Sequence, residues 1–155
     1  MKNSTLLSGE NGAGKSTILD AIQFVLTCSK NNFNKAANEN SKRSLSGYVR
    51  FKTGREDNEF ERNGDVSAHV ALEFYEESKK NYFIIGAVID SASETSEKIL
   101  WYRVEKCRFE DVTFIVNNEP TDIANFRLYG KELNMPFSST RIVDAKKIFL
   151  TDLEG

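Results

Sequence analysis

The sequence predicts a mixed α/β fold that starts from a phosphate-binding loop and carries an antiparallel β-subdomain. Three observations predict it. Residues 9–16 read Gly9-Glu10-Asn11-Gly12-Ala13-Gly14-Lys15-Ser16, the spacing G-x-x-x-x-G-K-[ST] of a P-loop. Apolar Leu6 and Leu7 precede it as a strand end, and Ile18, Leu19, Ala21, Ile22, Val25 and Leu26 follow at helical spacing. Residues 66–116 then alternate apolar and polar side chains in short runs joined by short polar turns. Short connections imply an antiparallel meander, not the βαβαβ rhythm of a compact nucleotide kinase.

The 155 residues are enough for one domain with its own core. Apolar content of 39% against 28% charged describes a globular chain. The net charge of -2 gives no overall argument for nucleic acid or membrane, so any DNA contact must rest on a local patch. Cys28 and Cys107 lie far apart without metal-ligand spacing and read as small buried residues of a reducing compartment. No run approaches the roughly 18 consecutive apolar residues of a membrane span, and Met1 leads straight into the loop strand without a leader-like apolar segment. The expected location is the cytoplasm.

In chain order, residues 4–8 read as a strand and 15–27 as an amphipathic helix. Within it Asp20 reads as solvated, with the domain interior as the alternative. Residues 28–46, rich in Asn31, Asn32, Asn34, Asn38 and Asn40, form a polar connection. A brief helix is expected around 43–51 and an exposed loop over 52–65. Strands are expected over 66–75, 82–90, 99–106 and 112–116, with turns at 76–81, 91–97 and 117–120. Thr121–Leu133 fits a helix capped by Asp122 or Thr121, and Pro136 breaks it. A second helix capped by Ser139 or Thr140 carries Ile142, Val143, Ala145, Ile148, Phe149 and Leu153. The organisation is one partial domain over 1–155: a strand-loop-helix unit at 4–27, the meander at 66–116 and a helical end at 121–153.

The loop carries the chemistry. Its glycines allow a concave nest of backbone N–H groups, and the helix beginning near Lys15 adds its positive end. Gly9, Glu10, Asn11, Gly12, Ala13, Gly14, Lys15, Ser16 and Thr17 are the nucleotide-binding candidates. Lys15 is expected to reach the β- and γ-phosphates, Ser16 to ligate Mg²⁺, and Thr17 to touch the α-phosphate of ATP. The apolar run Phe83–Asp90 superficially resembles the acidic strand of such ATPases. Ser91 follows it instead of Glu, and it sits in the meander, so it reads as a buried strand. Leu45-Ser46-Gly47 matches the start of an ABC-type signature by coincidence, because Tyr48 and Val49 break it. His69, the single histidine, alternates outward without a visible partner. Lys42, Arg43, Arg50, Lys52, Arg55 and Arg62 share a window with Glu56, Asp57, Glu59 and Glu61. That window reads as a charge-balanced solvated loop, with a phosphate-contacting surface as the alternative. Arg43 is its best individual candidate for the nucleotide.

The segment Leu7–Ile22 resembles the N-terminal head segment of SMC-like ATPases, which share Gly-x-Asn-Gly-x-Gly-Lys-Ser-x-x-Leu-(Asp/Glu)-Ala-Ile. Phe33–Ala37, Lys42–Arg50 and the β-rich stretch from Val66 to Val104 are similar to the bacterial condensin-like Muk/Mks group and its Wadjet relatives in plasmid defence. The resemblance implies an ABC-type head split between the two ends of one long polypeptide, with this chain as the partial N-terminal lobe. Lys15 and Ser16 would hold phosphates and Mg²⁺, and Arg43 would lie near the nucleotide and the DNA-facing surface. Implied partners are the C-terminal head lobe, a second head that closes an ATP sandwich, DNA, and accessory subunits of a condensin-like complex. The signature, the acidic strand, the coiled coil and the strands before the loop strand are missing, and Gln23 lies too early for a Q-loop. The chain thus reads as a fragment cut at both ends that binds ATP without hydrolysing it. The role implied is chromosome segregation or plasmid defence. The alternatives are a self-contained P-loop phosphotransferase and an inactive truncated remnant.

Overall fold

The computed structural model describes residues 6–10, 14–30, 44–50, 52–55, 58–60 and 63–132. Helix α1 spans Lys15–Thr27 and α2 Leu45–Val49. Strands β1 (Lys52–Arg55) and β2 (Asn58–Phe60) pair antiparallel. Strands β3 (Val66–Glu76), β4 (Asn81–Ser93) and β5 (Ser96–Glu105) form an antiparallel sheet with β4 in the centre. A 3-10 turn at Phe109–Asp111, a hairpin of β6 (Ile115–Val116) and β7 (Glu119–Pro120), and helix α3 (Ile123–Glu132) follow.

The pleat of the sheet separates two cores. Val66, Ala68, Val70, Leu72 and Phe74 of β3 share a face with Ile85, Ala87, Ile89 and Trp101, and pack on Phe24, Val25 and Cys28 of the α1 end and Leu45 and Val49 of α2. The Phe24 and Trp101 rings lie 4.5 Å apart at their centroids. The opposite face, with Ile84, Val88, Leu100, Tyr102 and Val104, is covered by Cys107, Val112, Phe114, Ile123 and Phe126. Being central and covered on both sides, β4 is buried without interruption from Ile84 to Ile89. That is why it reads as a continuous apolar run where its neighbour alternates.

Polar side chains pin the helices to this sheet. Glu97 at the start of β5 accepts from Lys30 Nζ (3.0 Å) and from Ser46 Oγ of α2 (2.9 Å). Arg50 is buried at the end of α2; it donates to Ser91 Oγ (2.9 Å), Ser91 O (2.8 Å) and Gly64 O (2.6 Å). Arg50 therefore leaves the solvated basic window expected from sequence, because β4 offers it a set of acceptors. At α3, Asp122 Oδ1 accepts from Asn125 N (2.7 Å), so Asp122 is the cap.

Several boundaries move. The loop expected over 52–65 contains the β1–β2 pair. Strand β4 continues through Ser93, so the turn is shorter than 91–97. The strand expected over 112–116 shrinks to Ile115–Val116 and pairs with Glu119–Pro120 instead of the sheet. Asn117 and Asn118 both take left-handed backbone (φ 53 and 64), which makes a tight two-residue hairpin there. The helix expected over 139–153 and the polar stretch 31–43 lie outside the described residues.

Two expected outcomes follow from this packing. A Cβ at Gly86 would meet Tyr102 Oη at 2.4 Å and Val70 O at 2.7 Å. Gly86→Ala is expected to cost about 1–3 kcal/mol in urea denaturation. An unchanged midpoint would show that Tyr102 moves aside freely. Burial works against the charge on Glu97, but the hydrogen bonds from Lys30 and Ser46 outweigh it and hold the carboxyl below its ordinary 4.5. Its contribution is complete above that value and is lost as pH falls through the lowered one. As pH falls below 4.5 the wild type therefore loses stability that Glu97→Gln has already lost. Parallel pH profiles of the two proteins would contradict this.

Candidate functional site

The loop enters α1 from an exposed segment. Leu6, Leu7 and Ser8 take no strand conformation, and Leu6 is 89% exposed. This corrects the strand expected to end here. A loop strand of this kind is held by neighbouring strands, whereas the β3–β5 sheet packs on the Phe24–Val25 face of α1 and pairs with none of residues 6–10.

Gly14 turns the chain into the helix at φ 85. No atom crowds a Cβ built there, so the left-handed backbone itself requires glycine. Its carbonyl accepts from Ile18 N at 3.1 Å, the first helical hydrogen bond. Lys15 folds back over the loop and donates to Gly9 O (2.5 Å) and Glu10 O (2.6 Å). Among the described residues no side chain caps the N-terminus of α1, and no acid lies in its first turn, so its positive end favours an anion. Ser16 and Thr17 are exposed beside Lys15. Asn11, Gly12, Ala13 and Arg43 lie outside the described residues.

This arrangement suits an anion with several oxygens. The Lys15 ammonium is held by two carbonyls that phosphate oxygens can replace. The N–H groups of the first turn and the Ser16 hydroxyl add donors without competing carboxylates. The donor set fits ATP phosphates, and Ser16 offers the hydroxyl through which Mg²⁺ would be held. Among the described residues no group of three His, Cys, Asp or Glu side chains gathers as an independent metal site.

Asp20, one turn beyond Ser16, is only 6% exposed and accepts from Tyr48 Oη at 2.8 Å. The solvated reading of Asp20 is thereby overturned. The bond ties α2 to the helix that follows the phosphate loop. Sequence reasoning did not find Tyr48, and the only signal was an aspartate flanked by the apolar residues Ile18, Leu19, Ala21 and Ile22. Ser46 and Gly47 are buried in α2, so Leu45-Ser46-Gly47 is structural.

Asp90 lies within β4, which continues to Ser93 and runs antiparallel to both neighbours. Its carboxylate accepts from Ser67 Oγ (2.8 Å) and Ile123 N (3.1 Å), which commits it to the start of α3. His69 does not point outward into solvent. Its Nε2 lies 2.7 Å from Thr121 O, and its ring packs against Phe114 and Phe126. Both cysteines are buried, and burial pushes the Cys107 thiol up to about 11. A polar groove of about 960 Å³ lies between the β4–β5 end of the sheet and α3, lined by residues including Ser67, Asp90, Lys98 and Asp122. Among the described residues none of the P-loop lines it, so the loop and not this groove is the candidate site.

Residues 1–40 match the family model for the P-loop containing region of AAA domain. The chain carries a P-loop NTPase region of mixed α/β structure with an antiparallel sheet. No curated protein and no solved structure matches it. Among the described residues no helix is long and apolar enough to cross a membrane.

Tyr48→Phe keeps the ring and removes the donor to a buried carboxylate. It is expected to lower stability by about 1–3 kcal/mol, read from urea denaturation. A midpoint equal to wild type would show that Asp20 is satisfied without it.

Proposed function

We propose that this chain is the ATP-binding N-terminal lobe of an SMC-like, DNA-associated ATPase. Gly9 to Thr17 hold the triphosphate, with Lys15 on its β- and γ-oxygens and Ser16 on Mg²⁺. The observation that carries the reading is Lys15 folded over the loop beside an uncapped helix start, with Gly14 in the left-handed conformation that forms the cradle. The match of residues 1–40 to a P-loop model supports the nucleotide part.

The partial-lobe part rests on α1. Ile18 (47% exposed) and Leu19 (54%) lie outside its packed face, as do Leu6 and Leu7 before the loop. Large apolar side chains left exposed outside a packed face are ones that a second layer covers. On this reading the C-terminal head lobe supplies that layer together with the signature and the acidic strand, and a second head closes over ATP. Asp90 supplies no acidic group to the phosphates, because α3 occupies it. The chain alone therefore binds ATP and does not turn it over. DNA and the accessory subunits of a condensin-like complex, in chromosome segregation or plasmid defence within the cytoplasm, are the partners proposed. Arg43 is proposed near the nucleotide.

Thermal melting with Mg-ATP tests the reading. At about ten times the dissociation constant, binding adds roughly 1.4 kcal/mol. For a chain of this size that raises the melting temperature by about 3–6 °C. Lys15→Ala is expected to abolish the shift while keeping the apo melting temperature, since among the described residues Lys15 bonds only Gly9 O and Glu10 O of its own loop. No shift in the wild type, or an equal shift in Lys15→Ala, would overturn the site. Steady Mg²⁺-dependent hydrolysis by the chain alone, lost in Lys15→Ala, would overturn the partial-lobe reading while leaving the site intact.

A further inference from the structure

The face of the sheet away from α1 is closed by a separate unit, the β6–β7 hairpin and α3. Few groups attach it. Phe114, Ile123 and Phe126 supply its apolar contacts, and Phe126 packs on Tyr102 at 4.8 Å. Its polar attachments sit together where the hairpin becomes the helix. Asp90 of β4 accepts from Ile123 N, and His69 of β3 meets Thr121.

The His69 ring is enclosed. Its centroid is 5.5 Å from Phe114 and 5.1 Å from Phe126. Nε2 lies 2.7 Å from Thr121 O and 3.1 Å from Thr121 Oγ1. The carbonyl can only accept, so the neutral ring carries its proton on Nε2. The Thr121 hydroxyl donates to Phe114 O at 3.2 Å. Nδ1 is buried and has no hydrogen-bond partner among the described residues. A proton added there would create a donor without an acceptor and a charge among aromatic rings.

We propose that His69 and Thr121 form a proton-operated latch: adding a proton to His69 releases the β6–β7 hairpin and α3, while α1, α2 and the sheet stay folded. The separate cores on the two faces of the sheet permit this partial opening. Release also removes the α3 wall of the polar groove, which includes Asp122 and Asn125.

The surrounding charges have been assigned to other tasks. Asp90, facing His69 from β4, is engaged by Ser67 and Ile123 N. Glu73, further along β3, accepts from Phe109 N and pairs with Arg108. Asp122 caps Asn125, and Lys98 stands across from Asp90 on β5. Tyr102 stays protonated because burial raises its hydroxyl. Burial lowers His69 from its ordinary 6.5, against the smaller opposing pulls of Thr121 and Asp90. The closed unit thus binds the proton less well than the open one. Closure is complete above pH 6.5 and weakens as pH falls through the lowered value.

Native-state hydrogen exchange of the full chain at pH 7.5 and pH 5.5, corrected for intrinsic rates, tests the latch. Amides of α3 are expected to lose protection by up to about tenfold at the lower pH, since one ordinary histidine proton is gained one unit below 6.5. Amides of α1 and β4 keep theirs. His69→Gln can still donate to Thr121 O without titrating, so its α3 protection stays equal at both values. Loss in all elements together, no loss in α3, or the same loss in His69→Gln would overturn the latch. If His69→Gln does not fold, the ring NMR titration of the single histidine decides. A midpoint below 6.5 supports the latch, and one at or above 6.5 overturns it.

Discussion

Strand β4 sets the terms for everything around it. From Ile84 to Ile89 it is buried, and its side chains point alternately to opposite faces of the sheet. Both faces therefore need cover. One is closed by α1 and α2 through Phe24, Val25, Leu45 and Val49, the other by Phe114, Ile123 and Phe126. The phosphate loop is positioned as a consequence, since α1 is one of these covers and the loop is its N-terminal extension. Gly86 belongs to the same constraint: it leaves the space that Tyr102 occupies on the crowded side.

Apolar burial alone would let the helices slide over the sheet. Hydrogen bonds from buried polar groups fix where they stop. Asp20 holds Tyr48, Glu97 holds Ser46 and Lys30, and Arg50 holds Ser91 and Gly64. Each joins segments distant in the chain, and each would leave a costly buried polar group if the register slipped. In this way α2, which follows the stretch containing Arg43, is kept against the loop helix.

The apolar surface of α1 exceeds what the sheet can cover. Phe24 and Val25 are fully buried, while Ile18 and Leu19 remain half exposed next to the loop. Ser16 and Thr17 at the start of α1 are exposed as well. Both features fit the partial-lobe reading, in which the missing wall of the nucleotide site and the missing layer over α1 come from the same source. Asp90 illustrates the division. In another setting an acid after an apolar run could serve phosphate chemistry, but here it holds the start of α3.

The sequence by itself determined the phosphate loop, helix α1 and the antiparallel character of the sheet. These depend on local rules: the spacing of glycines and lysine, the 3.6-residue period, and the two-residue alternation with short turns. It did not reveal that Ile115–Val116 turns away from the sheet, because the left-handed backbone of Asn117 and Asn118 was not evident from their identity alone. Nor did it show that Asp20, Arg50 and His69 are interior. Their partners lie 14 to 52 residues away, and periodicity carries no information about which distant donor meets which acceptor. Only the tertiary structure decided that, because a charged or polar side chain enters the interior solely where folding brings its hydrogen-bond partner to it.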